Sequence, residues 1–498
     1  MTESLLCELS VPGRKGVLFP KSDVPKASLP ANLTRQRLPL PEVSEVDVVR
    51  YFTRLSQLNY CIDKGMYPLG SCTMKYNPKI NEETARLSGF ANIHPLQPVE
   101  TIQGCMVLMY ELQEMLKEIG GFAGVTLQPA AGAQGELTGV LIIRAYHQSR
   151  NDLKRTKILI PDSAHGTNPA TSAMSGLEVV QLPSDANGNV DLNELRTHCD
   201  DTLAGLMLTN PNTLGLFEEN VLEVIRMVHE AGGLVYGDGA NMNALLGIVR
   251  PGDLGIDVLH YNLHKTFSTP HGGGGPGSGP VGVAAMLVDF MPGPVVDIIE
   301  EGDDEIPPLF GFVMPEKSIG RVKSFWGHFG MMVRAYTYIR VHGPEGLRSV
   351  SEHAVLNANY LMAQMKKIYH LPYDRTCMHE FVVEGRWDDA PDIHALDIAK
   401  RMMDYNLHPP TNYFPLIVHE ALMVEPTETE SKQTLDAFIE VMEKIADEAH
   451  NNPEILKTAP HTTPVGRLDE VKAAKELVLC CGLEFPPRER LLPDKCST

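Results

Sequence analysis

The stretch Asn262-Leu-His-Lys-Thr-Phe-Ser-Thr-Pro-His271 runs directly into Gly272-Gly-Gly-Gly-Pro-Gly-Ser-Gly-Pro280. It places one lysine, Lys265, beside four consecutive glycines, whose unencumbered backbone lets a ligand or another segment come close. A surface lysine next to a flexible linker is the alternative, but apolar runs on both sides disfavour it. A lysine held beside such a loop suits covalent chemistry, because its amine can form a Schiff base with a carbonyl cofactor.

The sequence on both sides of Lys265 predicts an α/β fold. Short apolar runs bounded by turn residues are typical of buried strands. Apolar residues at helical spacing over 218–231 and an apolar run over 137–144 predict helices among those runs. Strands that alternate with helices indicate a mostly parallel sheet with helices packed on it. The predicted strands span 157–160, 177–182, 203–208, 234–237, 257–262 and 281–288.

Polar residues follow several of these strands, at the edge where parallel sheets bind their ligands. Asp238 is placed to keep a pyridine nitrogen protonated, which makes pyridoxal phosphate (PLP) an electron sink; a helix-capping aspartate is the alternative. An imidazole at His165 can stack on such a ring, unless it is an ordinary loop residue. The residues at or just after the predicted strand ends are His165, Thr209, Asn210, Asp238 and Lys265.

A candidate phosphate site lies at 130–136, where small residues precede an apolar helix. A helix start of this kind presents free N–H groups and a positive dipole end to an anion, and Ala133 and Gln134 lie there. A plain tight turn explains the same residues equally well. His260 and His264 are four residues apart, but no acidic or cysteine ligand accompanies them, so we predict no metal site.

The segment Tyr67-Pro-Leu-Gly-Ser-Cys-Thr-Met-Lys75 predicts a constrained loop within an otherwise irregular, proline-rich region. Loops of this kind often carry function. We therefore expect Ser71 and Cys72 to line the entrance for the substrate or a carrier. An ordinary surface loop is the alternative.

Several motifs together resemble glycine decarboxylase, the P-protein family of the glycine cleavage system. Asp238-Gly-Ala-Asn-Met-Asn-Ala, Asn262-Leu-His-Lys-Thr-Phe and Pro270-His-Gly-Gly-Gly-Gly-Pro-Gly are similar to its PLP-binding region. The segments 67–78 and 8–13 resemble the second subunit of the divided form of that enzyme. The resemblance covers nearly the whole chain. It implies a fold-type-I, aspartate aminotransferase-like PLP enzyme with a mostly parallel large domain and a smaller α+β domain.

The resemblance also implies roles for single residues. Lys265 would carry the PLP aldehyde, Asp238 would pair with the ring nitrogen, and Ala240 and His165 would flank the ring. The other residues expected to contact the cofactor are Ala133, Gln134, Thr209, Asn210 and His264.

The implied reaction removes carbon dioxide from glycine and transfers the aminomethyl group to the lipoyl arm of a carrier, the H-protein. The divided form implies a separate amino-half subunit, subunit 1, in a heterotetramer with two copies of each chain.

Length, charge and cysteine usage limit the remaining possibilities. The 498 residues suffice for several domains, which we place at 1–99 (an amino-terminal arm), 100–342 (PLP-binding) and 343–498 (smaller α+β domain with tail). A formal net charge of −20 disfavours nucleic acid as a partner. We find neither a signal peptide nor an apolar run of about 18 residues, so we expect no membrane span. Nine cysteines without regular spacing favour the cytoplasm.

Two other function classes stay open from the residues alone. One is another fold-type-I enzyme, such as an aminotransferase or a different Cα-decarboxylase. It commonly needs an arginine for the substrate carboxylate, for which Arg386 and Arg401 are candidates. The other is a non-catalytic scaffolding subunit, which has no need of Lys265 together with Asp238. Cofactor absorbance of the purified chain separates a scaffold from an enzyme.

Overall fold

The computed structural model of the chain describes residues 3–34, 40–271 and 277–477. It divides the chain into two compact units, Met1–Cys61 with Thr458–Thr498, and Ile62–Lys457. The four glycines from Gly272 to Gly275, which the sequence places beside Lys265, lie outside the described residues.

Helices and strands are numbered in chain order. The α-helices are α1 Glu45–Leu58, α2 Lys79–Ala85, α3 Ser88–Ala91, α4 Gln103–Gly120, α5 Gly132–Ser149, α6 Thr167–Met174, α7 Leu192–His198, α8 Val221–Glu230, α9 Phe329–Met365, α10 Ala395–Asp404, α11 Lys432–Asn451, α12 Pro453–Lys457 and α13 Glu470–Lys475. The strands are β1 Gly124–Thr126, β2 Lys157–Pro161, β3 Glu178–Leu182, β4 Leu203–Thr209, β5 Leu234–Gly239, β6 Val258–Tyr261, β7 Val281–Val283, β8 Val295–Glu300, β9 Leu309–Val313, β10 Phe381–Glu384, β11 Thr411–Asn412 and β12 Ala421–Val424.

Seven strands form the main sheet, in the order β1-β7-β6-β5-β4-β2-β3. The strands β6, β5, β4, β2 and β3 are parallel, while β7 and β1 are antiparallel to their neighbours. Successive side chains point to opposite faces, so Val235 belongs to the apolar cluster of α4 and α8 and Tyr236 to that of α5. The predicted mostly parallel sheet between helices is confirmed.

The direction of chain progression reverses between β2 and β4. From β2 the chain adds β3 on one side, and then β4, β5 and β6 extend the sheet on the other. The crevice outside the carboxyl ends of the strands at such a point is where α/β sheets bind ligands. His165 follows β2, Thr209 ends β4, Asp238 lies in β5 and Lys265 follows β6.

A second, antiparallel sheet of β10, β12 and β11 packs with α10, α11 and the carboxyl part of α9. Helix α9 is interrupted at Gly343, where φ is 60°. Pro344 follows and lacks the N–H that a continuous helix needs. This interruption coincides with the predicted boundary at 342/343; the division into 1–99, 100–342 and 343–498 stays a prediction.

Two apolar runs of the sequence form strands over only part of their length. The run 281–288 is a strand only over Val281–Val283, because Ala285–Phe290 forms a 3₁₀ helix. The run 416–424 is a strand only over Ala421–Val424, and Leu416 is 85% exposed. Apolar composition alone does not separate a strand from an apolar turn leading into it. Within the described ranges, no helix is long and apolar enough to cross a membrane.

Candidate functional site

Lys265 lies in the turn directly after β6 and is partly buried. Its main-chain N–H donates to the Asn262 carbonyl at 3.0 Å, which fixes the turn. In the described part of the chain, no hydrogen bond or ion pair engages its Nζ. The Lys265 charge nevertheless favours the ionised forms of Asp238, Glu380 and Glu425. The amine is therefore near three carboxyl groups and free for covalent chemistry.

Asp238 presents a buried carboxylate at the same edge of the sheet. Its Oδ1 accepts the Ala240 N–H at 3.1 Å, and its Oδ2 accepts the Asn168 amide at 3.3 Å. Burial raises the pKa of Asp238, but His260, Lys265 and these hydrogen bonds outweigh burial and bring the pKa below its ordinary value. An ionised carboxylate is thus available to pair with a protonated ring nitrogen.

A buried tyrosine and histidine lie behind Asp238. The Tyr236 hydroxyl lies 2.5 Å from His260 Nδ1, and His260 Nε2 lies 3.7 Å from Asp238 Oδ1. Burial raises the pKa of Tyr236 and lowers that of His260 to about 4, so both are neutral at pH 7. The tyrosine then donates to Nδ1, and the imidazole proton on Nε2 points toward Asp238.

Glu136 is a buried carboxyl group beside Asp238 that the sequence did not single out as functional. It accepts hydrogen bonds from Thr167 at 2.8 Å, Asn168 at 3.0 Å and Thr171 at 3.4 Å. Burial and then the charge of Asp238 raise the pKa of Glu136 to about 7. Glu136 therefore anchors the first turns of α6 and orients the Asn168 amide that reaches Asp238.

His165 stands exposed at the open side of this group. Its Nδ1 lies 2.9 Å from Thr167 Oγ1, and its ring meets Phe414 edge-on with centroids 5.5 Å apart. Burial and Lys265 lower the pKa of His165, with Asp238 opposing them, so the ring is neutral at pH 7. A neutral, exposed imidazole in this place fits the expected role of covering one face of a cofactor ring.

The start of helix α5 matches the predicted phosphate site. Ala131 is its N-cap and provides no side-chain cap, and the Gly135 N–H donates to the Ala131 carbonyl at 2.9 Å. The N–H groups of 132–134 come before that bond, and among the described residues they have no hydrogen-bond partner, so a helix start of this kind can bind an anion. We therefore expect Ala133 and Gln134 to contribute through the main chain.

The side chains of Gln134 and Asn210 are already engaged. Gln134 Oε1 accepts the Ala130 N–H at 2.7 Å, and its Nε2 donates to the Val322 carbonyl. Asn210 Oδ1 accepts the Glu218 N–H at 3.0 Å. These two side chains shape the loops around the site and leave the anion to backbone groups.

Several buried polar atoms at this end of the sheet have no hydrogen-bond partner among the described residues. Those nearest the strand ends and the glycine-rich segment include Thr209 Oγ1, Asn262 Oδ1, His264 Nδ1 and Ser278 Oγ. A Cβ on Gly132 would lie 2.6 Å from Asn262 Oδ1, and one on Gly277 would lie 3.0 Å from His264 Nδ1. Asn262 thus lies against the helix start, and His264 lies against Gly277, where an added Cβ would also come within 3.5 Å of the Ala130 carbonyl oxygen. Unsatisfied buried groups cost stability, so this set fits a bound polar group such as the PLP phosphate.

Replacing Gly279 with alanine is expected to weaken PLP binding about 10-fold or more. An added Cβ would lie 2.2 Å from the Ala131 carbonyl oxygen, so the backbone of the helix start must shift. Equilibrium titration of the apo chain with PLP measures the effect. Gly104→Ala is the matched control, since nothing lies within 4 Å of an added Cβ there. Equal PLP affinities of the two variants would show that the helix start does not bind the phosphate.

The loop that contains Ser71 and Cys72 lies next to Lys265. Ser71 and Thr73 have positive φ angles of 64° and 49°, a conformation that costs energy in residues other than glycine. Glu380 Oε2 accepts the Ser71 N–H at 2.6 Å, and Glu425 Oε2 accepts the Thr73 N–H at 2.9 Å.

Burial raises the pKa of Cys72, while Lys265 opposes this effect, so its thiol is neutral and within reach of the lysine charge. Glu380 and Glu425 were missed from the sequence as site residues. Their only signal in the sequence is that they flank the short apolar runs 381–383 and 421–424.

The two arginines considered for a substrate carboxylate are engaged elsewhere. Arg386 bonds Glu384 at 2.9 Å and Asp388 at 3.2 Å. Arg401 bonds Glu448 through two nitrogens at 2.8 Å and Asp404 at 2.9 Å. Neither is left to bind a substrate carboxylate, which weakens the aminotransferase alternative.

Comparisons with known proteins identify the family models and relatives that this chain matches. A family model described as "Glycine dehydrogenase, C-terminal domain" matches residues 350–461, and one described as "Aminotransferase class-V" matches residues 139–274. The probable glycine dehydrogenase (decarboxylating) subunit 2 of Alkaliphilus oremlandii is 58% identical over 95% of this chain and 97% of its own. The protein of the same description from Desulforamulus reducens is 59% identical over 96% and 98%.

Solved structures share the fold. A crystal structure of glycine decarboxylase (P-protein) of the glycine cleavage system, in inhibitor-bound form, matches with a TM-score of 0.70 at 21% identity, over 84% of this chain and 93% of that one. A glutamate decarboxylase of Lactobacillus brevis matches with a TM-score of 0.63 at 13% identity, over 87% and 96%. At these identities the likeness establishes the fold alone.

The expected fold type, PLP dependence and enzyme class are confirmed by these matches together. The assignment of single residues to the cofactor or the substrate stays a prediction. Sequence identity over nearly the full length of these relatives establishes the family. The chain belongs to the family of glycine dehydrogenase (decarboxylating) subunit 2.

Proposed function

We propose that the cleft around Lys265 decarboxylates glycine with PLP and transfers the remaining aminomethyl group to the lipoyl disulfide of a carrier H-protein. The single observation that carries this is the unengaged amine of Lys265 beside the buried, ionised Asp238. When bound, PLP withdraws electrons from the α-carbon of an amino acid, which lets carbon dioxide leave.

The residues of the chain have separate roles in holding the cofactor. Lys265 supplies the amine that binds the aldehyde and is released when glycine takes its place. Asp238 keeps a proton on the ring nitrogen, supported by the Asn168 amide and the Ala240 N–H. The N–H groups of 132–134 and the polar atoms beside them bind the phosphate. His165 covers one face of the ring.

The loop 71–73 delimits the cleft on the side of the smaller sheet. The Gly70 N–H donates to the Met423 carbonyl at 3.3 Å, and the carboxylates of Glu380 and Glu425 hold the next residues. The loop is therefore fixed to the sheet at several points. We assign it the role of excluding water and guiding the substrate or the lipoyl arm.

Replacing Cys72 with serine is expected to change kcat/KM for glycine about 10-fold while bound PLP is retained. The hydroxyl is smaller and more strongly hydrogen-bonding than the buried thiol, whereas the phosphate and ring contacts lie elsewhere. Steady-state kinetics and the cofactor absorbance measure the two effects. Cys199→Ser, at a partly buried thiol after α7, is the control. Kinetics equal to the wild type would reduce the loop to a packing element.

A partner subunit is part of this proposal. The names of the relatives specify a subunit 2, so we assign the chain an amino-half partner, subunit 1, in a heterotetramer with two copies of each. Helix α1 of the smaller unit supports this, because Val46, Val49 and Phe52 are each more than half exposed on it. Apolar surface of this kind commonly marks an interface. A cytoplasmic location belongs to the proposal too, and the described cysteines are free thiols.

The test is release of labelled carbon dioxide from carboxyl-labelled glycine. The holo chain is assayed alone, with the amino-half subunit, and with that subunit plus lipoylated carrier. We expect turnover only in the complete mixture and none with an unlipoylated carrier. Full activity of the isolated chain, or turnover of another amino acid without a lipoyl acceptor, would overturn the assignment.

A further inference from the structure

Two buried carboxyl groups share one end of the smaller sheet. Glu380 immediately precedes β10 and Glu425 immediately follows β12, and Phe381 pairs with Val424 in the antiparallel ladder. Glu380 and Glu425 therefore emerge side by side, 3% and 1% exposed. His379 precedes Glu380 and is 2% exposed. Ligand-type atoms of these three side chains all lie within 4.8 Å of one another.

The hydrogen bonds of the two carboxyl groups are unequal. Glu425 accepts three strong donors, namely the Thr73 N–H at 2.9 Å, the Thr73 hydroxyl at 2.8 Å and the Asn241 amide at 2.9 Å. Glu380 accepts the Ser71 N–H at 2.6 Å, and its other oxygen lies 3.6 Å from His379 Nε2. In the described ranges, no lysine or arginine forms an ion pair with either one.

Two carboxyl groups in such a place do not both stay ionised, because burial and mutual repulsion penalise the second charge. Burial and then Glu425 raise the pKa of Glu380 well above its ordinary value, with Lys265 opposing. Burial raises the pKa of Glu425 as well, but the hydrogen bonds from Asn241 and Thr73 oppose this effect and favour its charged form over that of Glu380. The shared proton therefore resides on Glu380.

Neutral groups and one cation surround the proton on Glu380. Burial lowers the pKa of His379 to about 3, and both of its ring nitrogens lack a partner among the described residues. Cys72 is a neutral thiol, and the charges of both carboxyl groups and of Lys265 act on its pKa. The groups that face Glu380 are thus Glu425, His379, Cys72, Cys377 and Lys265, and the cluster reaches the reacting end of the cleft.

The reaction assigned above takes up a proton at a sulfur atom. The electron pair left on the glycine α-carbon when carbon dioxide departs forms a C–S bond with one sulfur of the lipoyl disulfide. The S–S bond breaks, and its electron pair leaves with the other sulfur as a thiolate. The carbon is oxidised and the disulfide reduced by two electrons. The thiolate then takes a proton, for which a buried acid near the disulfide is needed.

We propose that Glu380 is this acid: it donates the proton that it shares with Glu425 to the departing lipoyl thiolate. The inference rests on the proposed function, because the disulfide acceptor belongs to that function. After the transfer both carboxyl groups are charged until Glu380 takes up a proton from solvent. Glu380 is thereby a catalytic residue, while Glu425 positions the loop and maintains the charge that keeps Glu380 protonated.

The first test compares two reactions in the complete complex. Exchange of labelled bicarbonate into glycine requires only loss and return of carbon dioxide, whereas net transfer also requires protonation of the thiolate. In Glu380→Gln, the amide oxygen still accepts the Ser71 N–H but no proton can be donated. We expect the ratio of transfer to exchange to fall about 100-fold. In the wild type this ratio falls as pH rises through the pKa of Glu380; in the variant it does not depend on pH.

Glu384→Gln is the matched control, at the other end of β10 and bonded to Arg386. Its ratio should equal that of the wild type. An unchanged ratio in Glu380→Gln, or an equal fall in both variants, overturns the inference. If the wild type neither exchanges nor transfers with glycine, the proposed function itself fails, and that outcome differs from the loss of transfer alone.

A second readout needs neither cofactor nor turnover. The apo wild-type chain should show the infrared carbonyl band of a buried protonated carboxyl group at neutral pH. Glu136, whose pKa is raised to about 7, contributes to such a band as well, so the Glu380 component is the part that is lost in Glu380→Gln and kept in Glu384→Gln. If Glu380→Gln fails to fold, the wild-type band is titrated by itself and should retain a component above the pKa of Glu136. A wild-type band that titrates away completely near pH 7 contradicts the stored proton.

Discussion

Replacing Lys265 with alanine is expected to abolish the absorbance of bound PLP and to lower glycine decarboxylation by on the order of 10⁴-fold or more. The amine is the only group at the carboxyl end of β6 that can bind the aldehyde covalently, and nothing in the described part of the chain engages it. Its loss also removes the positive charge that acts on Asp238, Glu380 and Glu425. Absorbance spectra and the labelled carbon dioxide assay measure the two effects.

Lys154→Ala is the control for the loss of a lysine. Lys154 is more than half exposed and pairs with Asp201 at 2.6 Å on the surface, so its removal should change neither readout. A Lys265→Ala chain that keeps the cofactor band and turns glycine over would show that the reactive amine lies elsewhere.

Replacing Asp238 with asparagine is expected to have the second largest effect. A buried ion pair that loses one partner costs about 3–5 kcal/mol, or roughly 10²–10⁴-fold in affinity for PLP. An amide no longer stabilises the proton on the ring nitrogen, so the ring withdraws electrons less strongly and decarboxylation slows by several further orders of magnitude. Titration with PLP and single-turnover decarboxylation separate the two effects.

Asp257→Asn is the matched control at the other end of the sheet. Asp257 is also buried, and it bonds His229 at 2.8 Å and the Val235 N–H at 2.7 Å. Its replacement should lower the unfolding temperature and leave PLP affinity unchanged. Near wild-type decarboxylation by Asp238→Asn would reduce Asp238 to a residue that fixes the turn at Ala240.

Much of the large domain could be predicted because its signals are local. The apolar runs before Asp238 and Lys265 identify β5 and β6, and parallel strands bring their carboxyl ends together. The same rule, applied to the carboxyl end of β2, places His165 at this edge of the sheet. The helix start at Gly132 was ambiguous in sequence, because small residues serve a turn as well as a helix start; the structure shows the helix, and the phosphate site stays a prediction.

The cluster of Glu380, Glu425 and His379 could not be predicted from the sequence, because its hydrogen bonds join segments that are far apart in the chain. Ser71 and Glu380 are 309 positions apart, and Thr73 and Glu425 are 352 apart. Their contact depends on the register of β10 against β12, which apolar patterning does not define. Glu136 was missed for a related reason: in the sequence it resembles an ordinary helix carboxylate, and its burial arises only when α6 packs against α5.

Borohydride reduction of the holo chain, followed by proteolysis and peptide mapping, tests the central assignment most directly. Reduction fixes the pyridoxyl group on the lysine that binds it. We predict one modified peptide, with the adduct on Lys265. This adduct should be lost when glycine is added before the reductant. An adduct on Lys75 or any other lysine, with Lys265 unmodified, would contradict it.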